Sequence, residues 1–243
     1  MCTVTYIPTS DGFILTSSRD ENPEKETLSP AFYQFEDKTL AYPKDLSGKG
    51  TWIAVDHRGH TSCLLNGAME KHIKKEKYRK SRGILVLESL LCRNFSDFYR
   101  SIDLEGIEPF TMVMVEPGTE SVINPIILRW NGETKHLKAP NSKEPFILSS
   151  STLYNLKAKK IRQNWFDNWI NTKSISPQSI LDFHNRKHGL DPEIDILMKL
   201  PNGIETVSIS QIHYHNSKID FKYLDLLREN SHTFTIISNP SSP

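Results

Sequence analysis

The hydrophobic period changes twice along the chain, and this constrains the fold most. Apolar residues alternate from Thr3 to Ile7 and again from Glu205 to His213, and an extended apolar run covers Phe13 to Ser17; these are the marks of half-buried strands. Between them Ala158, Ile161, Trp165 and Trp169 recur three or four apart, which predicts a helix with one apolar face and Lys/Arg opposite. Further strands are predicted at Thr51 to Val55, Thr61 to Leu65, Phe110 to Glu116, Pro125 to Trp130, Phe146 to Ser149, Phe221 to Leu227 and Thr233 to Ile237. Helices are predicted at Ile84 to Leu91, from a Ser96 cap onward, and from a Ser176 cap with Pro177 in the first turn to a stop at Gly189. Residues 22–50 read as loop apart from Ala31 to Phe35. Strands at both ends with two helical blocks between them do not give the regular alternation of a doubly wound parallel sheet. They predict an α+β chain of mainly antiparallel sheets with helices packed outside.

The opening reads as a hairpin. If Asp11-Gly12 forms its two-residue turn, paired residue numbers sum to about 23, which sets Cys2 opposite the Arg19 to Glu21 cluster. Cysteine at position 2 is small enough for the initiator Met to be removed, which would leave a thiol and a free α-amine on one residue. That amine ordinarily titrates near ~7.7 to 8.0, so it can take the thiol proton and act as the base of a one-residue nucleophile unit. A guanidinium nearby favours the thiolate, and a carboxylate can direct the amine. Asn66, before Gly67, is a candidate donor to an oxyanion.

Composition excludes several classes. With 30 Lys+Arg against 29 Asp+Glu the net charge is +1, so the cationic excess of a dedicated nucleic-acid binder is missing. No run approaches the ~20 apolar residues of a membrane-spanning helix. The start lacks the basic and apolar blocks of a secretory signal, so a cytoplasmic location is expected. Cys2, Cys63 and Cys92 are too few and too scattered for a disulfide framework and are expected as reduced thiols. Residues 1–237 are expected to form a single domain and 238–243 a frayed tail.

The order and spacing of several short segments resemble a known family. MCTVTY at the start, S-R-D-E at 18 to 21, G-T-W-I-A-V at 50 to 55, L-L-N-G at 64 to 67, Ser81-Arg82-Gly83, T-V-S-I-S at 206 to 210 and Tyr223-Leu-Asp together resemble the Asn-Arg-Asp-Glu family, which includes the transport and Golgi organisation 2 proteins. The resemblance implies an N-terminal-nucleophile hydrolase-like fold, a four-layer αββα sandwich of two antiparallel sheets between helix layers. It is more distantly similar to choloylglycine hydrolases and penicillin V acylases, whose catalytic residues match Cys2, Arg19 and Asp20 here, with Asn66 as the match for an oxyanion-hole Asn. Ser18 stands where the family's Asn is expected, and Arg19 and Asp20 are adjacent where the acylases separate them by two residues. Ser150, in Leu148-Ser149-Ser150, takes the position of a further Asn.

The remaining signals are weaker. His184 and His188 have the i, i+4 spacing of a helix face but no H-E-x-x-H motif and no third ligand by spacing. His213 and His215 share one side of a strand near its exit, where solvent-facing side chains are the simpler reading. Residues 71–82 hold seven Lys/Arg and one Glu; this segment reads as a solvated loop, with an anion as the alternative occupant. Gly48-Lys49-Gly50-Thr51 lacks the first glycine of a phosphate loop, because Pro43 occupies that position. Trp165 and Trp169 read as core.

Two functions are therefore expected of the chain. In the first, Cys2 attacks a C–N amide bond of a small molecule, its amine shuttles the proton, Arg19 and Asp20 position the pair, and Asn66 holds the tetrahedral oxygen, with no cofactor. In the second, the chain carries haem or another hydrophobic molecule as cargo without catalysis, as the transport and Golgi organisation 2 resemblance also implies.

Overall fold

The computed structural model describes residues 3–118, 123–172 and 174–238. Four strands open the chain as two hairpins: β1 (Thr3–Thr9) with β2 (Gly12–Glu21), then β3 (Thr27–Phe35) with β4 (Lys38–Asp45). Strands β5 (Ile53–Val55) and β6 (Thr61–Asn66) follow, then helices α1 (Arg82–Leu91) and α2 (Phe95–Ser101). Next come β7 (Phe110–Pro117), β8 (Ile123–Trp130), β9 (Lys135–Lys138) and β10 (Phe146–Ser149), then α3 (Leu156–Thr172) and α4 (Pro177–His184). The chain continues through β11 (Glu205–His215), β12 (Lys218–Asp225) and β13 (Asn230–Ile237).

The strands form two wholly antiparallel sheets, a six-stranded one in the order β10-β1-β2-β11-β12-β13 and a seven-stranded one in sequence order from β3 to β9. Their inner faces share one core, in which Tyr6, Phe13, Leu15 and Phe221 of the first meet Ile53, Cys63, Leu65 and Val113 of the second. The outer face of the seven-stranded sheet is covered by Leu85, Leu90, Phe95 and Phe98 of α1 and α2. Phe166, Trp169, Ile180 and Phe183 of α3 and α4 cover Ile7, Ile14 and Ile147 on the other. The result is the αββα sandwich.

Several local expectations change. The first turn is Ser10–Asp11, with Thr9 opposite Gly12, so paired numbers sum to 21 rather than 23. Gly12 belongs to the strand because β11 runs too close for a side chain: an added Cβ would lie 1.9 Å from the Tyr214 carbonyl oxygen. Residues 27–45 form a hairpin, not a loop. Pro30 hid it, and this proline is accommodated at a register shift between Leu28 and Ala31 on an edge strand, where no ladder hydrogen bond is lost. The second helix is capped by Asn94, whose side chain accepts from the Asp97 N–H at 2.8 Å, and not by Ser96. Ser176 caps α4 as expected, in a reciprocal pair with Ser179, but the helix stops at His184, before Gly189.

On α3 the buried stripe is Ala158, Arg162, Phe166 and Trp169, so an arginine lies in the apolar face. Asn216 and Ser217, both at positive φ, make the tight turn between β11 and β12. Of the expected tail, Ser238 is buried and donates its N–H to the Ser217 carbonyl, while 239–243 fall outside the described residues.

Gly50 lets the start of α1 reach the sheet. An added Cβ would lie 2.4 Å from the Gly83 carbonyl carbon, a backbone atom that cannot turn aside. Gly50→Ala is expected to cost about 1–3 kcal/mol of stability, as overpacking does, read as a lower urea midpoint at unchanged m-value.

Candidate active site

The site is built on the last residues of β2. Consecutive strand residues point to opposite faces, so Arg19 turns toward the seven-stranded sheet while Ser18 and Asp20 turn toward the helices. All three side chains are buried. A buried charge needs partners, and each of these has them.

Arg19 Nη2 lies 3.1 Å from Asp45 Oδ2, and its Cζ stands 4.6 Å from the centre of the Trp52 ring. Burial pushes the Asp45 carboxyl up, but the Gly48 N–H at 2.8 Å, the Ser47 hydroxyl at 2.7 Å and the Arg19 guanidinium outweigh it and hold the group below the usual carboxylate range. Asp20 accepts from the Thr206 hydroxyl at 2.7 Å and the Tyr154 hydroxyl at 2.9 Å. Ser18 Oγ is 2.8 Å from His184 Nδ1, and His184 Nε2 is 2.9 Å from Thr5 Oγ1. With both ring nitrogens engaged inside the protein, His184 is not a metal ligand, and the chain leaves the helix before His188. Burial and the neighbouring His188 and Arg162 push its pKa down to about 3.

The start of β1 meets this cluster. Thr3 pairs with Ser18, and Arg162 Nη1 donates to Thr3 Oγ1 at 2.6 Å. Arg162 also donates to the Ile194 carbonyl at 2.9 Å and to the Asp195 carbonyl, and it lies 3.5 Å over the Tyr154 ring. Cys2 lies outside the described residues. Of the other thiols, Cys63 is buried and raised to about 12 by desolvation, which leaves it inert at neutral pH.

A cleft of about 590 Å³ opens beside Arg19, with Asp45, Trp52 and Asn66 in its walls. Asn66 ends β6, and its carboxamide makes no hydrogen bond among the described residues. Its carbonyl is tied to the end of β10, accepting from Ser150 Oγ at 2.8 Å and the Ser151 N–H at 3.2 Å. Ser150 therefore spends its single donor on Asn66 and orients that residue instead of facing the cleft.

The basic segment is not a detached loop. Lys71, His72, Lys74, Tyr78, Lys80 and Arg82 all line the cleft. Arg82 Nη2 is anchored 3.0 Å from Glu108 Oε2 and Lys80 Nζ 2.5 Å from Glu88 Oε1, whereas Lys71 and Lys74 form no ion pair among the described residues.

Sequence reasoning singled out Arg19, Asp20, Asn66 and Ser150; of these Arg19 and Asn66 line the cleft, while Asp20 lies on the other face of β2 and Ser150 sits behind Asn66. The same reasoning missed Asp45, Tyr154, Thr206 and Arg162. Only Arg162 left a trace, since it stands four residues from both Ala158 and Phe166 and so on the apolar stripe.

The sheet order and the helix layers define the N-terminal-nucleophile hydrolase fold. The architecture is similar to that of a Caenorhabditis elegans ortholog of N-acylethanolamine-hydrolyzing acid amidase, with TM-score 0.57 and 9% identity over 87% of this chain and 92% of that one. It is also similar to two variants of the conjugated bile acid hydrolase from Clostridium perfringens, both with TM-score 0.59 and 9% identity, over 99% and 96% of this chain and 98% and 92% of theirs. No curated protein matches by sequence. The chain belongs to the Transport and Golgi organisation 2 family, whose profile matches residues 1–218.

The buried His184 has a consequence for stability. Below the ordinary His value near ~6.5 the unfolded chain takes up a proton that the folded chain refuses until about 3, so stability falls as pH drops through that window. The slope from this one group approaches about 1.4 kcal/mol per pH unit. Urea unfolding of His184→Gln is expected to show a flatter profile than the natural protein between about pH 6.5 and 4; parallel profiles would contradict the assignment.

Proposed function

We propose that this chain hydrolyses the amide bond of a small molecule with Cys2 as the nucleophile. The observation that carries the reading is the pairing of Thr3 with Ser18: Cys2 precedes Thr3, and Arg19, which lines the cleft, follows Ser18. Removal of Met1 frees the α-amine of Cys2. That amine takes the thiol proton, the sulfur attacks the carbonyl carbon, and negative charge develops on the carbonyl oxygen. The carboxamide of Asn66, which has no hydrogen-bond partner among the described residues, donates to that oxygen. The ammonium returns its proton to the departing amine, which leaves a thioester, and water assisted by the same amine then releases the acid. Arg19, held by Asp45 and Trp52, raises the potential at the sulfur, and Asp20 acts as a positioning residue on the other face of β2.

The lining supports a substrate with an anionic end. Lys71 and Lys74 line the cleft without an ion pair among the described residues, and charged and polar residues outnumber apolar ones in its lining. That composition suits a carboxylate-bearing amide better than a wholly apolar cargo.

The test begins with the intact mass of protein from its own cells, which should lack Met1. A panel of N-acyl amino acids, N-acylethanolamines and conjugated bile salts is then followed for acid release, beside Cys2→Ala. Turnover is expected to vanish in Cys2→Ala. Asn66→Ala is expected to lower kcat about 10²- to 10³-fold with a smaller change in KM. Retained Met1, or acid release that survives in Cys2→Ala, would overturn the proposal, and stoichiometric ligand retention without turnover would favour a carrier instead.

Alkylation gives a second measure. Cys2 is expected to react with iodoacetamide at neutral pH well ahead of Cys92, whose thiol is raised by partial burial and the nearby Asp97; equal rates would count against an activated thiol.

A further inference from the structure

Two histidines and an aspartate meet on the helix-facing side of the six-stranded sheet, at the end of β11 remote from the cleft. His213 and His215 are two residues apart on β11, so the pleat turns both rings to one face. Asp220 of β12 sits directly opposite His213 in the strand register. One ligand atom from each of the three residues lies within 4.8 Å of the others. The two rings stack with centroids 4.1 Å apart, and His215 Nε2 is 2.7 Å from Asp220 Oδ2. All three side chains are partly buried.

We infer that His213, His215 and Asp220 form a site for a divalent transition-metal ion of the zinc type. Two imidazoles and one carboxylate are the donor set such ions take, at about 2.0–2.2 Å from the metal. An ordinary surface ion pair would need one histidine. His213 brings a second ring into the same space, and its side chain makes no hydrogen bond among the described residues.

The carboxylate is itself oriented. Thr235 Oγ1 of β13 donates to Asp220 Oδ1 at 2.6 Å, which occupies one oxygen and leaves Oδ2 toward the imidazoles. Such an outer hydrogen bond is how metal-binding carboxylates are held. The tight turn at Asn216–Ser217 fixes the register of β11 against β12, and with it the distance between the ligands. Water would complete the coordination, because the cluster lies near the surface.

The site is separate from the proposed hydrolytic chemistry. Ser208, which pairs with Arg19, lies five residues before His213, roughly 17 Å along the strand at ~3.4 Å per residue.

The full chain, stripped with a chelator, is titrated with Zn²⁺ in a calorimeter. One equivalent is expected to bind saturably, and the His213→Ala/His215→Ala double variant is expected to lose that uptake. Thr235→Val is expected to weaken it about 10- to 100-fold. Cobalt(II) is added to the natural protein as a measure that needs no variant: visible d–d bands without a thiolate charge-transfer band are expected from nitrogen and oxygen ligands. No saturable uptake, uptake that the folded double variant retains, or a cobalt spectrum with thiolate charge transfer would each overturn the site.

Discussion

Charge taken out of water at the end of β2 has to be paired within the protein, and the way Ser18, Arg19 and Asp20 meet that demand ties the layers together. Strand alternation sends Arg19 across to Asp45 and Trp52 of the seven-stranded sheet region and its neighbours. It sends Ser18 to His184 on α4, and Asp20 to Tyr154 ahead of α3 and Thr206 on β11. A buried ion that loses its partner is strongly destabilising, so these contacts constrain how the two sheets and the outer helices can sit. The same cluster holds the start of β1, since Thr3 is held from one side by its pairing with Ser18 and from the other by Arg162.

The cleft itself depends on close backbone approaches and on anchored charges. Gly50 and Gly83 let α1 come against the strand connection, which carries Ser81 and Arg82 into the wall. Glu108 then holds Arg82 and His72 through its two oxygens, so a basic segment that would otherwise repel itself is fastened over the opening. Asn66 is oriented by Ser150, the residue after β10 of the other sheet, which makes the geometry of the opening a property of the sandwich and not of either sheet alone. At the far end of β11 the His213, His215 and Asp220 cluster rests on a different device, a two-residue turn that sets one strand against the next.

Much of this architecture could be read from the chain before its fold. Period-two segments marked most strands because their inner faces are buried and their register has only two choices. Ser176 and Pro177 marked the start of α4 because capping is local chemistry. Strand β3 escaped notice because it is an edge strand, which tolerates a proline and exposed polar residues that central strands do not. The first turn was misplaced by one residue because an Asp-Gly pair is a strong turn signal, whereas the need for glycine at position 12 comes from the Tyr214 backbone of a strand two hundred residues away.

By itself the sequence determined most of the strands and helices, the antiparallel α+β class and the identity of Arg19, Asp20 and Asn66 as residues of interest, because these follow from period, capping and short motifs that act within a few residues. Only the tertiary structure decided that Arg19 is held by Asp45, that Asp20 answers to Tyr154 and Thr206 on the opposite face, that Ser150 spends its hydroxyl on Asn66, and that Arg162 enters the apolar stripe of α3. Those partners are remote in sequence, and what selects them is the cost of leaving a buried charge or donor unpaired, which exists only once the layers have closed and water has gone.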